Sequence, residues 1–152
     1  MAISNGKLKA YLAAPFGIPG SIRRKNAMRA KEALEKNGYD VYAPWEYKIP
    51  HDWDYPNHEW GLMVFTNDVY AIDHSDMVVV LSYGREDTTS GTNWEAGYAF
   101  GIGKKVVVVE CGDNAVMSLM VSNGCYSRIA SLDDFCQIVD FDIKYRTYTE
   151  QK

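Results

Sequence analysis

Cysteine and histidine are both scarce. Cys111, Cys125 and Cys136 form no CxxC pair and have no metal-ligand spacing. An odd, scattered set of this kind reads as reduced thiols serving as small apolar residues, which excludes a disulfide scaffold. His51, His58 and His74 fall into no HExxH-like cluster, so no metal site is expected. Long hydrophobic runs are missing too: none approaches the ~20 residues that span a bilayer. The N-terminal apolar segment is short and broken by proline and glycine, unlike a signal peptide. No membrane partner is expected, and the expected compartment is cytoplasmic. Nor is there a basic surplus. Lys and Arg number 16 against 20 Asp and Glu, a net charge of -4, so a nucleic-acid polymer is not an expected partner. Repeats, low-complexity tracts and domain linkers are absent from the pattern.

What is present is an ordinary globular composition. A hydrophobic fraction of 47% with a mean hydropathy of -0.29 suits a soluble chain, read as one domain over residues 1–152 with a buried core. "LKAYLAA" (8–14) is an apolar run ended by Pro15 and predicts a buried strand. Ser21 is placed to cap a helix through "SIRRKNAMRAKEALEKN", with Gly38 as its left-handed stop. "YDVYA" (39–43) predicts a second strand, followed by a Pro- and aromatic-rich loop over 44–57. A helix over about 58–75 leads to "DMVVVLS" (76–82), and "KKVVVVE" (104–110) follows the helix of "TTSGTNWEAGYAFG". These two strands lack polar alternation, as strands covered on both faces do. A short helix near 114–121, a weak strand near 126–130 and a final helix from Ser131 complete the chain. Alternating strands and helices around continuous Val runs predict a doubly wound α/β fold, flavodoxin- or Rossmann-like, with a five-stranded parallel sheet. In such sheets the ligand crevice lies beyond the carboxyl ends of the strands. That places 13–23, 44–57, 83–95 and 110–118 around it.

Glu95 lies in that set, and its neighbours admit two readings. Thr92-Asn93-Trp94-Glu95 has the spacing of a capping box, with Glu95 reaching back to the N–H of the cap. Alternatively, Gly91, Ala96 and Gly97 leave room for a ligand, and a first-turn carboxylate is held ionised by the helix dipole, as a nucleophile requires. Asp68 falls between Val64 and Ile72 on a helical wheel, inside an apolar stripe, where it is costly unless paired or used; a bond to a loop N–H is the other reading. Arg23, Arg24 and Lys25 in the first turn of the first helix form either a solvated charged turn or, with free N–H groups, an anion site. Tyr11, three residues before its strand ends, reads by itself as a core aromatic.

Taken together, the opening "YLAAPF" (11–16), Asp68 eight residues before Asp76, and the G-T-x-x-E-x-G-Y-A run (91–99) resemble the nucleoside 2-deoxyribosyltransferase superfamily. The resemblance covers nearly the whole chain. It implies cleavage of the N-glycosidic bond of a nucleoside without any cofactor, and transfer of the deoxyribosyl group to a free nucleobase. It implies Glu95 as a nucleophile forming a glycosyl-enzyme, Asp68 as the carboxylate assisting proton delivery, and Tyr11 as the hydroxyl orienting the nucleophile. Phe16 matches an aromatic near the base, and Glu46 could accept from an exocyclic amino group as carboxylates do with cytosine. A homo-oligomer with shared sites is also implied. Two positions depart from the transferase pattern: Thr89 stands for an aspartate that contacts the sugar 5′-hydroxyl, and Ser118 for an asparagine supplied by a neighbouring subunit. Hydroxyls at both positions resemble a sister branch, the nucleoside 5′-monophosphate N-glycosidases. With Arg23, they favour a nucleotide substrate, because a hydroxyl donates to phosphate where a carboxylate repels it. Asp87, two residues from Thr89, could instead restore the missing carboxylate.

Overall fold

β1 (Leu8–Ala13), β2 (Tyr39–Tyr42), β3 (Met77–Ser82), β4 (Lys105–Glu110) and β5 (Ser127–Ile129) form one sheet in the order β2-β1-β3-β4-β5. Every pairing is parallel. The order reverses between β1 and β3, which is the switch point where ligands bind in sheets of this winding. The structure, a computed structural model, describes residues 6–85, 87–112 and 116–146. No helix among these residues is long and apolar enough to cross a membrane.

The helices are α1 (Ile22–Lys36), α2 (Asn57–Asp73), α3 (Ser90–Gly101), α4 (Leu119–Asn123) and α5 (Leu132–Cys136), with 3-10 turns at Pro44–Glu46 and Asp52–Asp54. Strand alternation sends Leu12, Val79, Leu81 and Val107 to one face, against Ala27, Ala30 and Leu34 of α1 and Phe135 of α5. Tyr11, Val78, Val80 and Val108 point to the other face, against Ile72 of α2 and Ala96 and Ala99 of α3. The continuous Val runs are thus two alternating apolar sets, one for each layer of helices.

Local signals account for the helix ends. The Ser21 hydroxyl accepts from the Arg24 N–H at 3.2 Å, and the chain leaves α1 through Gly38 at φ +88°, a conformation that favours glycine. The Ser131 hydroxyl caps α5 by accepting from the Asp134 N–H. Two expectations are corrected. The short helix expected near 114–121 is Leu119–Asn123, capped by Ser118, with 113–115 outside the described residues. The helix after β3 starts at Ser90 with Thr89 as its cap, not Thr92: the Thr89 hydroxyl accepts from the Thr92 N–H at 3.3 Å. Glu95 therefore lies in the second turn, beyond the reach of a capping box, and the dipole argument for its charge fails.

Candidate active site

β1 turns Tyr11 toward α2 and α3, and the whole residue is buried. A buried phenol needs a partner for its O–H, and the Tyr11 hydroxyl donates to the Glu95 carboxylate. Next to it on β2, Tyr42 occupies the register position paired with Tyr11, and the two rings stack with centroids 5.4 Å apart at 13°. The Tyr42 hydroxyl donates to Asp68 Oδ1 of α2 at 3.1 Å. Asp68 thus has a phenol for a partner rather than the loop N–H considered above. Its flanking stripe is also not a core stripe, since Ile72 is the buried residue of α2 while Trp60 and Phe65 are exposed.

Glu95 and Asp68 line one cavity of about 300 Å³, together with Gly91, Trp94, Phe65, Val69 and Ile72. That is the small end of the range for ligand pockets. On its far side Asp68 lines a second cavity of about 240 Å³, walled by Tyr42, Trp45, Tyr47 and Trp60 and edged by Lys48, Asp52 and Asn67. A larger hollow of about 450 Å³ under the β2 edge, between Lys9, Asp40 and His74, contains neither carboxylate. Among the described residues no group of three or more His, Cys, Asp or Glu side chains could hold a metal ion.

Burial governs the electrostatics. It pushes the Glu95 carboxyl up to about 7; the Tyr11 hydrogen bond pulls the other way and the Asp68 charge adds to the rise. This reverses the expectation of a carboxylate held ionised. Asp68 is raised as well, by burial, with the Tyr42 hydroxyl opposing. Both phenols are raised, by burial first and then by the neighbouring carboxylates, so both remain donors. Two carboxyls on one cavity, both shifted upward by burial, can share the work of holding a negative charge and moving a proton during a reaction.

The other candidate residues divide. Gly91 lines the cavity, whereas Ala96 is in the core and Gly97 faces a groove against α4. Thr89 caps α3 and shares a hydrogen with Thr92 Oγ1 at 2.8 Å. Arg23 donates to the Asp87 carbonyl at 2.7 Å and lies over the Tyr83 ring, and the Asp87 side chain is exposed. Arg24 donates to the carbonyls of Phe16 and Gly17, so both guanidiniums hold loops. Phe16 packs on Trp45 and the α1-side core, lining neither cavity. Glu46 is paired with Lys31 at 2.8 Å on the α1 side. Ser118 caps α4, its hydroxyl accepting from the Val121 N–H at 3.4 Å, and lines neither cavity. Tyr42 and Trp94 were not among the expected site residues, and of the aromatic-rich loop over 44–57, expected at the crevice, Trp45 and Tyr47 do line a cavity. For Tyr42 a signal existed: a tyrosine at the end of a strand flanking the one that carries Tyr11.

A family model for nucleoside 2-deoxyribosyltransferases matches residues 10–136, from β1 through α5. The chain belongs to that family. Members of the nucleoside 2-deoxyribosyltransferase family are enzymes acting on N-glycosyl bonds, and this chain is an enzyme of that class. The solved structure of a 2-deoxyribosyltransferase from the psychrotolerant bacterium Bacillus psychrosaccharolyticus is 27% identical, with a TM-score of 0.76 over 88% of this chain and 93% of that one. The CMP N-glycosidase BcmB of Clostridium botulinum is 16% identical, with a TM-score of 0.57 over 85% of this chain and 96% of that one, a likeness of fold alone. No curated protein matches the chain.

Proposed function

We propose that this family member cleaves the N-glycosidic bond of a 2′-deoxyribonucleoside through a covalent glycosyl-Glu95 intermediate and transfers the deoxyribosyl group to another nucleobase. The observation that carries this reading is the pair Glu95 and Asp68, on one cavity, each receiving a hydrogen bond from one of two stacked tyrosines. The sugar occupies the Glu95 cavity and the base the aromatic one, with Asp68 at the junction. Ionised Glu95 attacks C1′ while the C1′–N electron pair leaves with the base, and Asp68 gives that base a proton. In the second half an incoming base attacks C1′, Glu95 departs as a carboxylate, and Asp68 recovers a proton from the new base. The transition state is oxocarbenium-like, so the adjacent anion stabilises it before trapping it. Neither half needs a cofactor.

A second reading is hydrolysis of a nucleoside 5′-monophosphate such as CMP or dCMP. Thr89 favours it, since a hydroxyl rather than a carboxylate stands at the start of α3, and Arg23 brings a cation to the same loop. Deoxycytidine, deoxyadenosine and dCMP, each incubated with and without a second free base, separate the two by chromatography. A new nucleoside supports transfer; free sugar phosphate supports the hydrolase. Quenched enzyme should carry one deoxyribosyl adduct on the peptide containing Glu95 by mass spectrometry. Release of base without any adduct, from the wild type and from a slow substrate alike, would remove the covalent step. Tight nucleotide binding with no base released from any of them would support a third reading, a non-catalytic nucleotide-binding module.

The same reading includes a homo-oligomer in which Ser118 serves a neighbour's site. Leu119 and Met120, 78% and 82% exposed beside it, supply apolar surface for such a contact. A cytosolic location is the expectation that goes with this reading.

A further inference from the structure

The two carboxylates are held in matching ways, and the family resemblance gives a role to only one of the two hydroxyls, that of Tyr11. Tyr11 and Tyr42 are register partners on neighbouring parallel strands, so their side chains leave the sheet on the same face, one strand spacing apart. Their rings stack, and their hydroxyls diverge to different helices, one to Glu95 on α3 and the other to Asp68 on α2. The other face of Tyr42 stacks on Tyr47, at 6.0 Å and 30°. Its ring is therefore fixed between a core tyrosine and the loop that walls the aromatic cavity.

We infer that Tyr42 is a positioning residue for Asp68: its hydroxyl holds Oδ1 so that the other carboxyl oxygen is presented to the leaving base. This rests on the reading of Asp68 as the proton donor. Among the described residues Tyr42 is the donor seen on Asp68; Tyr11 on β1 is committed to Glu95, Glu95 on α3 is an acid itself, and Lys48, Asp52, Trp60 and Asn67 line the cavity beside it. A carboxylic acid has one proton to give, and its O–H must point at the base nitrogen when the C1′–N bond breaks. An acid free to rotate about χ2 spends most of its time misdirected, and misorientation costs rate even when binding is intact. Burial raises Asp68 while the Tyr42 bond opposes that rise, so the same contact also keeps the acid willing to release its proton.

Tyr42→Phe removes the hydroxyl and keeps the stacked ring, so the fold should survive; a thermal melt within a few degrees of wild type checks that. The readout is leaving-group dependence. Deoxyguanosine needs a proton on its base to depart, whereas N7-methyl-deoxyguanosine carries a cationic base that leaves neutral without one; 5′-monophosphates of both serve if the enzyme prefers nucleotides. Tyr42→Phe should lower kcat on deoxyguanosine by about 10- to 100-fold with KM little changed, and on the N7-methyl donor by less than about threefold. Asp68→Asn should show the same selectivity with a larger loss, and Glu95→Gln should fail on both donors. Equal losses on the two donors, or no loss on either, for Tyr42→Phe alone would overturn the positioning role. If Asp68→Asn also showed no selectivity, the assignment of Asp68 as proton donor would fall, and the role of Tyr42 with it.

Discussion

The two faces of the sheet are built to different standards of closure. On the α1 side, four residues of α1 are buried, three of them alanines that let the helix lie close to Leu12, Val79 and Val107. The charged groups there stay at the rim, in pairs such as Arg29–Asp133 and Lys31–Glu46. On the α2 and α3 side, Ile72 is the one buried residue of the 17 in α2, and the space that a second closely packed helix would fill is cavity. Glu95 and Asp68 line one cavity there and Tyr42 and Tyr47 the other, while the Tyr11 hydroxyl reaches Glu95 from the core. The first face minimises voids and unpaired polarity, as a core does. The second accepts the voids and carries ionisable groups below the surface, each paired with a phenol, which is the pattern expected where stability has been given up for a site.

The widest separation between the faces should come from Glu95→Gln, a change that moves activity and stability in opposite directions. Gln accepts the Tyr11 hydrogen bond but is no anionic nucleophile, so base release should drop by more than about a thousand-fold. The stability effect follows from linkage. Glu95 is ordinarily near 4.5 and is pushed up to about 7 in the folded chain. The unfolded chain therefore loses this proton first as pH rises, and the folded state is progressively penalised between those values, with the full penalty above them. Near pH 4 the two proteins should melt together. At pH 8 the Gln variant should be the more stable by about 2–3 kcal/mol, several degrees in melting temperature. A variant that melts below wild type at pH 8 would show that the charge on Glu95 supports the fold, contradicting the contrast between the faces.

The opposite face supplies the converse. Leu34 is fully buried against β1 and α5, far from both carboxyls in the layered order. Leu34→Ala should cost about 2–5 kcal/mol in chemical denaturation, through lost burial and the cavity left behind. Measured well below its melting temperature, the variant should keep kcat within about twofold of wild type, as distant sites act independently. A ten-fold loss of kcat in a folded sample would mean that the α1 layer tunes the site through the sheet.

The same division explains what could be read from the sequence. The Val runs of β3 and β4, the caps Ser21 and Ser131 and the stop at Gly38 are local features, and each was legible as such. The start of α3 was not. Thr92-x-x-Glu95 and Thr89-x-x-Thr92 both offer a cap, and the choice between them turns on where Glu95 finds a partner. That partner is Tyr11, 84 positions away, reached only because β1 pairs with β3 in the folded sheet. Likewise, Asp68 stood out as a polar residue on an apolar stripe, but nothing local pointed to Tyr42, whose ring is set by strand register. Glu46 looked available in its loop; Lys31, one helix earlier, takes it. Glu95 and Asp68 therefore stood out in the sequence before their environments did, and environment decides charge.

The finest test of the contrast is a single methyl group at Gly91. This glycine lies in the first turn of α3, on the wall of the Glu95 cavity, and a Cβ built there meets no heavy atom of the protein within 4 Å. Its lack of a side chain is not required by packing or by a left-handed backbone, and it lines the cavity, so a methyl group there can be added without a clash in the protein itself. For the protein alone, Gly91→Ala removes flexibility from a helix and should raise stability by up to about 1 kcal/mol. For a substrate, the added methyl narrows the cavity beside Glu95, and crowding of this kind costs about 1–3 kcal/mol. The expected outcome is a protein that melts at or slightly above wild type while kcat/KM falls about ten-fold, with donors lacking the 5′ substituent affected least if the crowding falls near Thr89. Unchanged kcat/KM would mean that the sugar does not approach α3 at its first turn, and the cavity between α2 and α3 would have to be occupied from the Asp68 side instead.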